Sequence, residues 1–215
     1  MLINGLLLIS IILISISYIR IILTYFKTKK INITNINGFD LAKELTSNYD
    51  EINIIESKEL NISKYNLKRR IIKLTNKDYN SNNISTLSKV TFLSGYSLLT
   101  LNKDKNILVL SKILSSIDYL NKSSLLALLI SILTKTAGDA KIAIILLLII
   151  LSYQYLINEI NIASKDETIK PLKKLLTKES YNIILNIEDT YLSLNKISFI
   201  TTLILLLRQV LIIIN

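Results

Sequence analysis

The chain has 215 residues, half of them hydrophobic, with a mean hydropathy of +0.44 and a formal charge of +10. That length allows one domain, or one small domain with membrane segments, and the hydropathy is too high for an ordinary water-soluble domain. The absence of Cys and His excludes disulfides, thiol nucleophiles, Cys-ligated zinc and the commonest general base.

Residues 2–18 are uncharged and apolar, and about 20 such residues cross a bilayer. Arg20 follows, then a second apolar run, then Lys27, Lys29 and Lys30. No basic start precedes the run and no small-residue cleavage site follows it, so residues 1–26 are expected to be an uncleaved anchor. The positive charges after it place its C-terminal end in the cytoplasm.

Residues 27–105 form the main polar region, with 14 Lys/Arg and 8 Asp/Glu. Residues 38–45 (G-F-D-L-A-K-E-L) have the spacing of an amphipathic helix, and 51–56 and 71–74 of strands. Residues 76–83, rich in Asn and Ser, are expected to be a loop. Residues 84–101 lack Pro and repeat apolar positions at helical spacing, which predicts a helix.

Residues 106–158 read as a membrane hairpin. Its first half carries Lys112, Asp118 and Lys122, while 140–157 is a full-length span, with a tight turn at 134–141. Residues 159–196 are a second polar segment, with six acidic and six basic side chains. Residues 197–215 form a last span, in which Arg208 is expected to snorkel or face other helices. A multi-pass protein of the cell membrane follows, with its polar region on the cytoplasmic side. The bilayer explains the basic excess, and nucleic acid is not an expected partner.

Ser85 and Lys89, and Ser131 and Lys135, stand four apart, the spacing of a Ser–Lys nucleophile pair, but such pairs arise by chance in a Ser- and Lys-rich chain. Lys68, Arg69 and Arg70 form a compact basic patch suited to lipid phosphate or to a solvated strand end. Asp50-Glu51 and Glu188-Asp189 are sequence neighbours, which do not share a face of a helix or strand and make poor acid/base partners.

Several blocks together carry a resemblance. Gly38-Phe39-Asp40-Leu41-Ala42-Lys43 is similar to a G-x-E-V-A-R segment. Tyr65-Asn66-Leu67, Ile72-Lys73-Leu74-Thr75 and Tyr79 keep the spacing of Y-D-P, V-x-L-S and a following Tyr. Asn158-Glu159-Ile160-Asn161-Ile162-Ala163-Ser164 is similar to P-V-E-F-D-A-S, and Leu176-Thr177-Lys178-Glu179 to L-T-x-E. In this order the blocks resemble the bacterial membrane neutral zinc metallopeptidases of the YugP type. The resemblance implies a mainly α membrane protein, with a small α+β, zincin-like cytoplasmic domain and about four membrane helices.

The family's H-E-x-G-H falls on Phe92-Leu93-Ser94-Gly95-Tyr96, where only the glycine remains. In such a motif two imidazoles four residues apart grip one zinc and the Glu activates the bound water. Phe92 cannot ligate, Leu93 cannot take a proton, and Tyr96 would be a poor lone ligand. Glu159 matches the carboxylate that the resemblance suggests as third ligand, so no zinc cofactor is expected. The expected protein is a pseudopeptidase that binds a peptide or membrane-protein partner. Phe92 and Tyr96 would fill the place of the metal, with the Tyr96 hydroxyl near Glu159. Two alternatives remain: an active metallopeptidase with carboxylate ligands drawn from Glu56, Glu159 and Asp189, and a membrane structural or assembly protein.

Overall fold

The structure is a computed structural model and describes residues 2–32, 36–58, 62–101, 105–133 and 140–214. It is mostly helical, with one small sheet. The order is α1 (Leu2–Thr28), α2 (Gly38–Thr46), β1 (Asn53–Ser57), β2 (Lys64–Asn66), β3 (Ile71–Thr75), α3 (Asn76–Asn80), α4 (Ile84–Leu101), α5 (Lys105–Leu133), α6 (Ala140–Leu175) and α7 (Lys178–Ile214).

Three helices are long and apolar enough to cross a membrane: Leu8–Thr28, Lys141–Leu175 and Lys178–Ile212. Among the described residues α5 does not meet the same measure, in contrast to the four membrane helices expected from the sequence. Lys112, Asp118 and Lys122 interrupt its apolar run. The expected turn at 134–141 lies largely outside the described residues.

Two compact units divide the chain. One comprises Met1–Ile19, Val109–Glu159 and Leu192–Asn215, and holds most of the apolar helix length. Many of its large apolar side chains are exposed, as lipid-facing groups would be: Leu8, Ile9, Ile145 and Ile200 are all more than half open. A 36-residue α6 is about 54 Å long at 1.5 Å per residue, well beyond a ~30 Å hydrocarbon layer. The length left over runs on into the other unit.

That second unit comprises Arg20–Leu108 and Ile160–Tyr191. Its sheet has the order β1-β3-β2, with β1 parallel and β2 antiparallel to β3. The central strand alternates, so Ile72 and Leu74 are fully buried while Ile71, Lys73 and Thr75 are half-buried. That period of two sets one face against the helices. Leu41, Ala42 and Leu45 of α2, Leu87 and Val90 of α4, Leu172 of α6 and Ile184 of α7 complete one core with them.

Local chemistry fixes the joints. Asn37 caps α2 by accepting from the Asp40 N–H at 2.9 Å. The expected loop at 76–83 begins instead with a helical turn, α3, because Thr75 caps it and accepts from the Asp78 N–H at 3.1 Å. Asn83 caps α4 in the same way, accepting from the Thr86 N–H at 2.8 Å.

Candidate functional site

The helices α4 and α6 come closest at Gly95. A Cβ on Gly95 would lie 2.3 Å from the Ser164 carbonyl oxygen and 3.0 Å from Thr168 Cγ2. Only glycine permits that approach, because the obstacle is backbone and cannot rotate away. Around the contact, Thr91, Ser94 and Ser164 are fully buried and Thr168 nearly so. The Thr91 hydroxyl donates to the Leu87 carbonyl at 2.9 Å, and that of Thr168 to the Lys165 carbonyl at 3.0 Å. The side-chain oxygens of Ser94, Ser164 and Asn161 have no hydrogen-bond partner among the described residues. Buried polar atoms are costly when unpaired, so this seam is a place to expect bound water or a ligand group.

On the sheet side, Tyr65 of β2 meets Tyr96 of α4 edge to face, with ring centroids 5.5 Å apart. The Tyr65 hydroxyl and Thr100 Oγ1 are 2.8 Å apart. Burial raises the Tyr65 pKa, and the Thr100 hydrogen bond offsets part of that. Phe39 of α2 stacks on Tyr79 of α3 with centroids 4.7 Å apart. A Cβ on Gly38 would lie 2.0 Å from the Asp78 carbonyl oxygen.

The residues singled out from the sequence occupy distinct places. Phe92 and Tyr96, one helical turn apart, are both half-buried. Leu93, where the family has its Glu, is buried in the shared core. Glu159 is exposed and belongs to the other unit, while the next residue, Ile160, is buried. Burial therefore puts no demand on Glu159 for a donor such as Tyr96. This set does not fit a zinc ion: two aromatic rings and an aliphatic chain offer one phenol oxygen, and Zn²⁺ takes four strong N, S or O ligands.

Two of the three carboxylates of the rearranged-site alternative are engaged elsewhere. Glu56 accepts from Asn76 Nδ2 at 2.6 Å, and Asp189 pairs with Lys165. Among the described residues no three Asp or Glu side chains converge. Lys68, Arg69 and Arg70 lie exposed in the turn between β2 and β3. Arg70 adopts a left-handed conformation (φ 53°) and pairs with Glu51. Lys89 is paired with Asp78 rather than with Ser85, whose hydroxyl donates to Asn83. Lys135 lies outside the described residues.

The comparisons with known proteins decide nothing further. Neither a family model, nor a curated protein, nor a solved structure matches this chain.

Sequence reasoning missed one buried acid, Asp78, and set another, Glu188, aside with its neighbour Asp189. Asp78 is buried and accepts from the Ser63 hydroxyl at 2.5 Å and the Lys89 ammonium at 2.8 Å. Burial pushes its pKa up; the Lys89 and Ser63 hydrogen bonds and the Lys89 charge outweigh that and hold it below the usual carboxylate value. Its signal was the T-x-x-D spacing of Thr75 and Asp78 ahead of a helical turn. Glu188 of α7 is buried with neither carboxylate oxygen hydrogen-bonded among the described residues. Nothing in its sequence neighbourhood distinguished it from Asp189, which is exposed.

Proposed function

We propose that this is a membrane-embedded, metallopeptidase-like protein that no longer cleaves and instead binds a peptide or membrane-protein partner beside Phe92 and Tyr96. One observation carries the reading. Blocks far apart in sequence, each quoted for the resemblance, touch in one unit: Tyr65 on Tyr96, Phe39 on Tyr79, and Gly95 on the Ser164 backbone. The half-buried aromatic rings of Tyr65, Phe92 and Tyr96 supply what partner surfaces commonly use, apolar area with few rotamers to freeze. The domain faces the cytoplasm in this reading, because the Lys residues after the first span fall on its side.

The test is photo-crosslinking in native membranes with a benzophenone amino acid at Phe92, Tyr96, Ile145 or Ile200. Adducts to one protein from the first two positions and not the last two support the reading. Adducts from Ile145 and Ile200 alone favour a structural or assembly role. That second reading draws on the open apolar side chains of the spans. Stoichiometric zinc in purified protein, with peptide cleavage that a chelator stops, would establish an active peptidase instead.

A further inference from the structure

A second feature lies away from the aromatic site, where α1 ends. The last turn of α1, the start of α3 and the first turn of α4 enclose a pocket of about 190 Å³. Three lysines line it, Lys29, Lys77 and Lys89, with Ser85 and Thr86 between them and Asp78 at the side. Lys89 is already paired with Asp78 at 2.8 Å. Among the described residues Lys29 and Lys77 have no ion-pair partner, so two uncompensated cationic side chains border one small space. The N-terminus of an 18-residue helix, α4, adds the positive end of its dipole there.

The pocket is held in shape. The Ile84 N–H donates to the Ile31 carbonyl at 3.0 Å, and Asn32 bridges to Asn83, tying the chain after α1 to the start of α4. Size narrows the ligand. The volume is roughly six times the ~30 Å³ share of a water molecule in the liquid, and below the ~300 Å³ at which pockets for drug-sized molecules begin. Position narrows it further. Tyr25 of α1 is part of the wall, and the apolar run ends at Phe26, so the pocket lies at the end of a helix long and apolar enough to cross a membrane.

We infer that this pocket binds a phosphate group, and that its source is the headgroup of an anionic phospholipid. The lysines supply charge, the Thr86 hydroxyl supplies a donor, and the end of the span sets the depth.

Native mass spectrometry of the detergent-solubilised full chain tests this, with short-chain phosphatidylglycerol as the probe. Lys29→Gln/Lys77→Gln leaves the Lys89–Asp78 pair intact and should weaken lipid retention about 25-fold, roughly fivefold for each ammonium. Lys29→Arg/Lys77→Arg, which keeps both charges, should retain binding, and this separates lost contacts from a lost fold. Lys68→Gln/Arg69→Gln removes the same charge elsewhere and should change retention less than twofold. Equal losses in the two Gln doubles would mean general surface attraction and overturn the site. Displacement of the lipid by millimolar inorganic phosphate, with phosphate the tighter ligand, would overturn the headgroup as its source.

Discussion

Gly95→Ala is the sharpest perturbation the structure offers. The added methyl would sit 2.3 Å from the Ser164 carbonyl oxygen and 3.0 Å from its carbon, where ordinary contact needs more than 3.4 Å. Relieving that requires α4 and α6 to separate by about 1 Å along a fully buried seam. Overpacking of this kind costs about 3 kcal/mol at the upper end of its usual range. Against it stands the gain from replacing glycine in a helix interior, about 1 kcal/mol. The expected net loss is about 2 kcal/mol, or a Tm lower by about 4–8 °C for a chain of this length. Thermal unfolding in detergent micelles reads it. Gly5→Ala is the control, since a Cβ there meets nothing within 4 Å and the Tm should hold or rise. A Gly95→Ala protein that melts with the wild type would mean that the helices do not approach as described. The reading of α4 against α6 would fall with it.

Two further outcomes follow from the buried acids. Lys89→Gln removes the cation that depresses the Asp78 pKa. A depressed carboxyl adds stability above its ordinary pKa, and that stability is lost as pH falls through the folded-state value. The variant should therefore lose about 1 kcal/mol at neutral pH, a charged hydrogen bond discounted for the open lysine. Its acid unfolding should begin at higher pH than that of the wild type, and coincident acid transitions would refute the pairing. Glu188→Leu exchanges an unpartnered buried carboxylate for an apolar side chain. It should raise the Tm by about 2–8 °C, for a gain of about 1–2 kcal/mol. A fall in Tm would show that Glu188 has a partner, such as bound water.

The sequence made the local elements readable and left their meetings obscure. Helix α4 was legible to the residue, because apolar positions recur at helical spacing from Ile84 to Leu101 with no Pro between them. Strand β3 was legible, to within one residue, from an apolar run bounded by charge and Asn rather than from clean alternation. The turn of α3 was not, because Asn and Ser are common both in loops and beside caps. Its decisive feature is one hydroxyl, that of Thr75, accepting from the N–H of Asp78. No sequence window could separate buried Glu188 from exposed Asp189. One residue turns a helix by about 100°, and which side is inside depends on what α7 packs against.

The same distinction bears on the motif itself. Gly95 and Gly38 are the two glycines that stand in blocks quoted for the resemblance. Both face a backbone carbonyl too closely for any side chain, Ser164 in one case and Asp78 in the other. Packing alone demands glycine at both, whatever chemistry the neighbours perform. Leu93 lies in the core, where an ionised carboxylate would need a partner, so a metal-free core and a catalytic Glu are incompatible at this one position. The side-chain oxygens of Ser94, Asn161 and Ser164, by contrast, are buried with no hydrogen-bond partner among the described residues, which shape alone does not explain.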